Sequence, residues 1–401
     1  MIRSFGAALA VALAVAAQAG ASHRPLPARL ASALAVRGND WSSSAALAVD
    51  LRSGGVVFAR HPDLSLDPAS NEKLPLTFAA LRELGSGYRF RTEVLARGER
   101  EGATLHGDLF LKGFGDPTLT SGRLARLAAQ VAATGIRRVD GRLLADESWF
   151  DTRRTAPGWK ADYLINECPP LSALVVDRGF YDDHAARDPA VAAAGTFRRA
   201  LRAVGVTTGG VGRGRAPDAA LRLGQVLSPS LSNVIAVMDR DSDNFRAEML
   251  LKELGAERGT AGTTVAGSAV VRRALATADI PLTGVVVADG SGLSLLDRLT
   301  ANAIVGILTA AWNDPELKPR FWRALPVAGE SGTLERRMDD GPARGVVRAK
   351  TGTTDAASAL AGYVADRYVF AVVQNGAPVR WTAARKAQDR FATALASAAG
   401  E

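Results

Sequence analysis

The sequence predicts an α+β protein with a strand-rich unit set inside a larger one. Three observations carry this. Short apolar runs alternate with turn residues over 92–224, a helical period governs 70–84 and 228–254, and strand-type runs return near the C-terminal end. At 401 residues the chain leaves room for two or three domains, and a hydrophobic content of 47% suits a globular protein with a real core.

The elements follow in order. Arg3 precedes an uncharged, mostly apolar run over 5–17, and Ala17-Gln18-Ala19 and Ala19-Gly20-Ala21 are both small-x-small sites. This pattern predicts a secretory signal peptide over 1–21, cleaved after Ala19 or Ala21. The run is too short to span a bilayer, which takes roughly 20 residues. A short helix is expected at 26–34, then strands at 43–50 and 56–59 around Ser53-Gly54-Gly55. The segment 70–84 places Leu74, Phe78, Leu81 and Leu84 at helical spacing and stops at Gly85. One helix-like stretch, 122–134, interrupts the strands of the inserted unit. Helices follow at 264–276 and 299–312, strands at 345–350, 359–364 and 368–374, and a closing helix at 382–398. Ala384, Ala387, Phe391 and Leu395 give that last helix a narrow apolar stripe, which suits docking on the neighbouring sheet better than lying on a membrane.

Several functions are disfavoured. The net charge of +8 favours anionic surfaces, but the arginines are spread out; the densest stretch holds Arg198, Arg199, Arg202, Arg213, Arg215 and Arg222 with Phe197 as its single aromatic. Nucleic acid is therefore not the expected partner, and at most a peripheral association with an anionic envelope or membrane is. Cys168 is the one cysteine, so no intrachain disulfide forms, and its place beside Pro169-Pro170 reads as apolar packing. The four histidines, His23, His61, His106 and His184, match neither a metal-ligand pattern nor a Ser-His-Asp triad, and no metal or cofactor is expected. Asp239, Asp241 and Asp243 could open a calcium loop, but such a loop needs Gly and Glu where Asn244 and Leu250 stand.

Three motifs remain in one order: Ser70-Asn71-Glu72-Lys73, Ser242-Asp243-Asn244 and Lys350-Thr351-Gly352-Thr353. Each alone has a plain explanation: a helix cap with a surface lysine, a polar cap, a strand end with a turn glycine. Together they form the S-x-x-K, S-D-N and K-T-G set of penicillin-recognising acyl-transfer enzymes. Ser70 and Lys73 share one helix face, and a serine becomes nucleophilic only when a base takes its proton. A lysine serves as that base when burial or a second cation, here Lys350, lowers its pKa. Ser242 is placed to relay a proton to the leaving amine and Asn244 to bind the substrate amide. Lys350 supplies charge, and the Thr351 and Thr353 hydroxyls suit a substrate carboxylate. The backbone N–H groups of Ser70 and Thr353 make a two-donor oxyanion hole.

On these motifs the chain resembles the class C low-molecular-mass penicillin-binding proteins, serine D-Ala-D-Ala carboxypeptidases and endopeptidases. Gly115-Asp116-Pro117-Thr118-Leu119, Asp289-Gly290-Ser291-Gly292-Leu293-Ser294, Gly332-Thr333-Leu334 and Leu360-Ala361-Gly362-Tyr363 extend the likeness over almost all of the mature chain. It implies a transpeptidase-like α/β (α+β) fold, an antiparallel sheet flanked by helices. The catalytic domain would comprise 22–91 and 225–401, with an inserted α+β domain over 92–224. The implied substrate is the peptidoglycan stem peptide and β-lactams are the implied inhibitors; the signal peptide predicts export, to a periplasmic or an extracellular, cell-wall-associated location. A β-lactamase is the alternative, but 172 residues separate Ser70 from Ser242, and no dedicated deacylating carboxylate can be assigned. A non-catalytic wall-binding protein is disfavoured by the intact motifs. Pro75 inside the first helix and Thr354-Asp355 after the third motif depart from the family pattern.

Overall fold

Two main sheets organise the chain in the computed structural model, which describes residues 24–38, 40–181 and 184–401. The expected signal peptide lies outside the described residues. The first elements are α1 (Leu26–Leu34), β1 (Ser44–Asp50), β2 (Val56–Arg60) and α2 (Lys73–Leu84). The segment expected from sequence as an insertion, and so named below, contributes β3 (Arg91–Glu101), β4 (Thr104–Gly113), α3 (Ser121–Ala133), β5 (Arg138–Val139), β6 (Leu143–Asp146), the small pair β7 (Phe180–Tyr181) and β8 (His184–Ala185), α4 (Pro189–Ala203), β9 (Val211–Arg213) and β10 (Leu221–Leu227). Four helices follow: α5 (Leu231–Asp241), α6 (Asn244–Arg258), α7 (Thr264–Thr277) and α8 (Ala301–Asn313). The short α9 (Lys318–Ala324), the hairpin strands β11 (Val347–Thr353), β12 (Ala357–Val364) and β13 (Tyr368–Asn375), and α10 (Trp381–Gly400) complete the fold.

The first sheet is five-stranded and antiparallel, in the order β11-β12-β13-β1-β2. Strand β1 pairs with β13 in the register Ala46↔Val372, so the two ends of the chain meet at its centre. Strand alternation sends Leu47, Ala359, Ala361, Val369 and Val373 into a core with Leu74 and Phe78 of α2, Leu250 of α6 and Ile304 of α8. The opposite face carries Ala46, Leu360, Phe370 and Val372, packed on Leu30 and Leu34 of α1 and Phe391 and Leu395 of α10. The closing helix thus docks on the sheet with its whole stripe buried, as its narrow apolar face requires.

The second sheet, β10-β3-β4-β6-β9, is mixed: β3 is antiparallel to β4 and β10, whereas β4, β6 and β9 run parallel. Helices α3 and α4 cover it through Leu124, Leu127, Val131, Phe197 and Leu201. A separate cluster joins the insertion to the helices: Phe150, Tyr163, Cys168, Leu171 and Val175 pack on Phe245 and Met249 of α6 and on Leu293. Cys168 is fully buried there, and burial pushes its thiol well above the ordinary range, in keeping with an inert packing role.

Three local expectations need correction. The 70–84 segment does not form one helix: a 3₁₀ turn over Ala69–Glu72 precedes α2, which starts at Lys73. Pro75 is then the third residue of α2, where its missing N–H has no intrahelical acceptor to lose. The insertion holds a second helix, α4, hidden by Pro189; that proline stands at the helix start, where its fixed φ is favourable, and Asp188 caps it by accepting from the Val191 N–H at 3.2 Å. Arg198, Arg199 and Arg202 lie on this helix. Finally, β11 does not end at Lys350 but runs through Gly352 to Thr353, paired throughout with β12.

Candidate active site

All three motifs converge at the open edge of β11. The 3₁₀ turn raises half-buried Ser70 into the cleft, and Ala69 before it holds a left-handed φ of 45°. One turn on, the fully buried Lys73 Nζ donates to Ser70 Oγ at 3.1 Å, Asn244 Oδ1 at 2.8 Å and the Ser291 carbonyl at 2.6 Å. These three acceptors use every donor an ammonium has.

The second motif spans the break between α5 and α6. Ser242 ends α5 in the left-handed conformation, φ 58°, and Asp243 caps α6 by accepting from the Arg246 N–H at 3.0 Å. This kink aims Ser242 and Asn244 into the cleft while Asp243 turns away to Arg178 and Arg246. The insertion supports the turn: Arg178 comes from it, and the Glu167 carbonyl accepts from Asn244 Nδ2 at 3.2 Å. The three aspartates of the possible calcium loop diverge, Asp239 to Thr77, Asp241 to Arg240 and Asp243 to its two arginines.

From β11, buried Lys350 donates to Ser242 Oγ at 2.8 Å and to the Thr351 carbonyl at 3.0 Å. Thr351 Oγ1 donates to Thr333 Oγ1 at 2.7 Å, which gives Gly332-Thr333-Leu334 a place in the cleft. The Ala349 N–H bonds outward, to the Pro326 carbonyl at 3.1 Å. Because an antiparallel ladder alternates, the N–H groups of Thr351 and Thr353 point to the same open side, away from β12. Gly352 lies against the Ser70 turn: a Cβ there would stand 2.8 Å from the Pro68 carbonyl oxygen and 3.1 Å from Ala69 Cβ.

The loop Asp289-Gly290-Ser291-Gly292-Leu293-Ser294 forms the floor. The buried Asp289 carboxylate accepts from the N–H groups of Ser291, Gly292, Leu293 and Ser294 and from Trp159 Nε1 at 2.8 Å. Glu248 adds bonds from the N–H groups of Gly290 and Ser291. So held, the loop aims the Ser291 carbonyl at Lys73 and packs Gly292, φ 80°, directly under Ala69. Ser291 Oγ is itself buried on Asp289, not presented as a nucleophile.

Burial dominates the electrostatics. It lowers the Lys73 pKa, against the pull of Asp289, Glu248 and Asp239. Lys350 is pushed down to about 7 by burial first and then by the charge of Lys73, with Asp239 opposing. Beneath the lysines, burial raises Asp239 to about 7 and Glu248 to about 8, and it lifts Glu72 and Asp297 well above the carboxylate range. Acids shifted up below and amines shifted down above are what desolvation of closely packed buried charges produces.

The motifs therefore name the side chains that meet here. The Ser291 carbonyl, Thr333, Glu167 and Arg178 were not assigned from sequence, because a backbone acceptor and a cross-unit contact leave no local signature. The Asp-Gly-Ser-Gly-Leu-Ser segment, which carries part of the family likeness in the sequence, forms the floor.

Comparison with known proteins agrees. A family model described as D-Ala-D-Ala carboxypeptidase 3 (S13) matches residues 26–187 and 183–398. The chain is 34% identical to the D-alanyl-D-alanine carboxypeptidase of Actinomadura sp. (strain R39), over 89% of this chain and 82% of that one. It is 30% identical to carboxypeptidase DacB of Mycolicibacterium smegmatis, over 89% and 81% respectively. Penicillin binding protein 4 of Haemophilus influenzae shares the fold, with a TM-score of 0.80 at 22% identity over 90% of this chain and 97% of that chain. The same protein complexed with a β-lactam gives a TM-score of 0.77. From its first described helix to its last, the chain belongs to the D-Ala-D-Ala carboxypeptidase 3 (S13) family.

Proposed function

We propose that this protein is an exported serine DD-peptidase that removes the terminal D-alanine of peptidoglycan stem peptides, cleaves D-configured cross-links by the same chemistry, and is acylated by β-lactams. One observation carries the reading: Lys73 Nζ bonds Ser70 Oγ and Asn244 Oδ1 at once, joining two motifs that lie far apart in sequence. The signal-like pattern of 1–21 supports export, and the family supports the substrate.

In this mechanism neutral Lys73 takes the Ser70 hydroxyl proton as Ser70 Oγ attacks the carbonyl carbon of the penultimate D-Ala. The N–H groups of Ser70 and Thr353 hold the resulting oxyanion; losing one such donor costs on the order of 3 kcal/mol. Collapse breaks the C–N bond. The leaving amine takes a proton from Ser242 Oγ, which is reprotonated by the Lys350 ammonium. The proton held by Lys73 then returns to Lys350 through solvent, which restores both lysines; water attacks the acyl-serine as neutral Lys73 takes its proton, and Lys73 gives that proton to Ser70 Oγ as the ester C–O bond breaks and the shortened peptide leaves. Asn244 and the edge of β11 position the peptide, and Thr351 and Thr353 face its C-terminal end. A β-lactam follows the same first step, but its opened ring stays tethered in the site.

The test is labelling with a fluorescent penicillin, compared with Ser70→Ala and followed over time. A stable adduct that requires Ser70 is the expected result, together with release of D-alanine from a D-Ala-D-Ala peptide. No Ser70-dependent adduct would overturn the reading, and rapid loss of label would mark a β-lactamase. For export, N-terminal sequencing of secreted protein should find a start after Ala19 or Ala21.

A further inference from the structure

Helix α10 leans on the end of β11 through two residues one turn apart. Trp381 Nε1 donates to the Thr354 carbonyl at 2.8 Å, and Arg385 Nη2 reaches Thr353 Oγ1 at 3.4 Å. Arg385 is exposed and makes no ion pair with a carboxylate of the described residues. The acids nearest it in sequence or in the cleft are engaged elsewhere: Asp389 with Arg337 at 2.6 Å and Asp355 with Lys160 at 2.9 Å.

The other candidate groups at this end of the cleft are poor receivers of an anion. The Lys350 ammonium is fully buried and directed at Ser242 Oγ and the Thr351 carbonyl. Thr351 Oγ1 is engaged by Thr333. Thr353 Oγ1 is neutral, and its hydrogen-bonding neighbour is Arg385. An exopeptidase acting at a free C-terminus has to read a carboxylate beyond the scissile bond, on the leaving-group side. A guanidinium supplies two parallel N–H donors for that group, and an unpaired one on the cleft rim gives up no internal ion pair to bind it.

We propose that Arg385 receives the free α-carboxylate of the leaving D-residue, together with the Thr353 hydroxyl, and so sets the preference for peptides with an unblocked C-terminus. The assignment rests on the DD-peptidase reading above. It places a specificity residue on the last helix of the chain, outside all three motifs, and gives the stripe-forming α10 a second task besides packing on the sheet.

The experiment compares the wild type with Arg385→Gln and Arg385→Lys on two substrates, a peptide ending in D-Ala-D-Ala and its C-terminal carboxamide. A lost charge-assisted hydrogen bond predicts that Arg385→Gln lowers kcat/KM on the free acid about 10- to 100-fold, chiefly through KM. The carboxamide rate should change less than about 3-fold, so the preference for the acid collapses. Arg385→Lys should keep part of that preference, since it retains the charge without the fork. Equal losses on both substrates, or an unchanged acid-to-amide ratio, would overturn the assignment. Penicillin labelling separates the two proposals. If the wild type forms no Ser70 adduct, the peptidase reading itself fails; if Arg385→Gln still forms the adduct at saturation while its selectivity is unchanged, only Arg385 is misassigned.

Discussion

Lys350 and Ser242 are held together by a 2.8 Å hydrogen bond between the edge strand β11 and the left-handed residue that ends α5. The strand and the helix pair are thereby locked at one point, and in the proposed mechanism this bond carries the proton to the leaving amine. Ser242→Ala removes the relay and leaves the buried Lys350 amine one partner short. Peptide turnover should fall about 100- to 10,000-fold, as expected when a positioned general acid is lost. Stopped-flow acylation by a peptide substrate measures it, and a loss under fivefold would contradict the relay.

In the proposed mechanism Lys73 has to shed its proton before Ser70 can lose one. Burial already lowers its pKa, so the acylation rate should climb with pH and level off, below the ordinary lysine range, once the amine is neutral. Lys73→Arg keeps a cation in place but cannot deprotonate, and it should lower acylation about 100-fold or more at every pH. A pH profile of penicillin acylation provides the check. A flat wild-type profile, or a fully active arginine variant, contradicts the lysine base.

Gly292 lies under the Ser70 turn with φ at 80°, and a Cβ there would stand 2.0 Å from the Ala69 carbonyl oxygen. Gly292→Ala therefore forces Ala69 and Ser70 to move together. The expected result is a protein that unfolds at lower temperature and labels with penicillin at least about 100-fold more slowly, since small misplacements of reacting groups carry penalties of that order. Wild-type labelling kinetics in the variant would show that the contact is slack.

Glu253 joins the insertion to α6: it accepts from Trp149 Nε1 at 2.9 Å and from the Tyr88 hydroxyl. Burial raises its pKa from 4.5 to about 8. The native state thus binds its proton more tightly than the unfolded state does. The stability this contributes is complete below pH 4.5 and is lost as pH rises through about 8. Glu253→Gln should flatten the decline in melting temperature across that interval. Calorimetry at several pH values tests it, and an unchanged slope rules out Glu253 as the source.

The chemistry was legible because each motif packs its polar groups into three or four consecutive residues, so helix and strand spacing alone puts Ser70 beside Lys73 and Thr351 beside Thr353. The periodicity of 382–398 likewise exposed the docked face of α10. What stayed hidden is what only tertiary structure brings together. The Ser291 carbonyl is a backbone atom, Thr333 matters because Thr351 reaches it, and Arg178 and Glu167 approach Asp243 and Asn244 from the insertion. Helix α4 was missed for a local reason: Pro189 reads as a breaker until its place at the first helical position is known. The run through Gly352 was missed because glycine alone suggests a turn, whereas here it permits the close approach of the Ser70 turn.

The pairing of β1 with β13 has a consequence for how the protein matures. The sheet of the insertion is built from segments that follow one another along the chain, so it can form early from local contacts. The sheet that carries the cleft needs strands from both ends and must close a very long loop, a slow step in folding. During synthesis, therefore, Ser70 emerges long before β11, the strand that carries Thr353. Arg385 emerges later still. On the proposed mechanism, the cleft cannot work until β11 has joined that sheet.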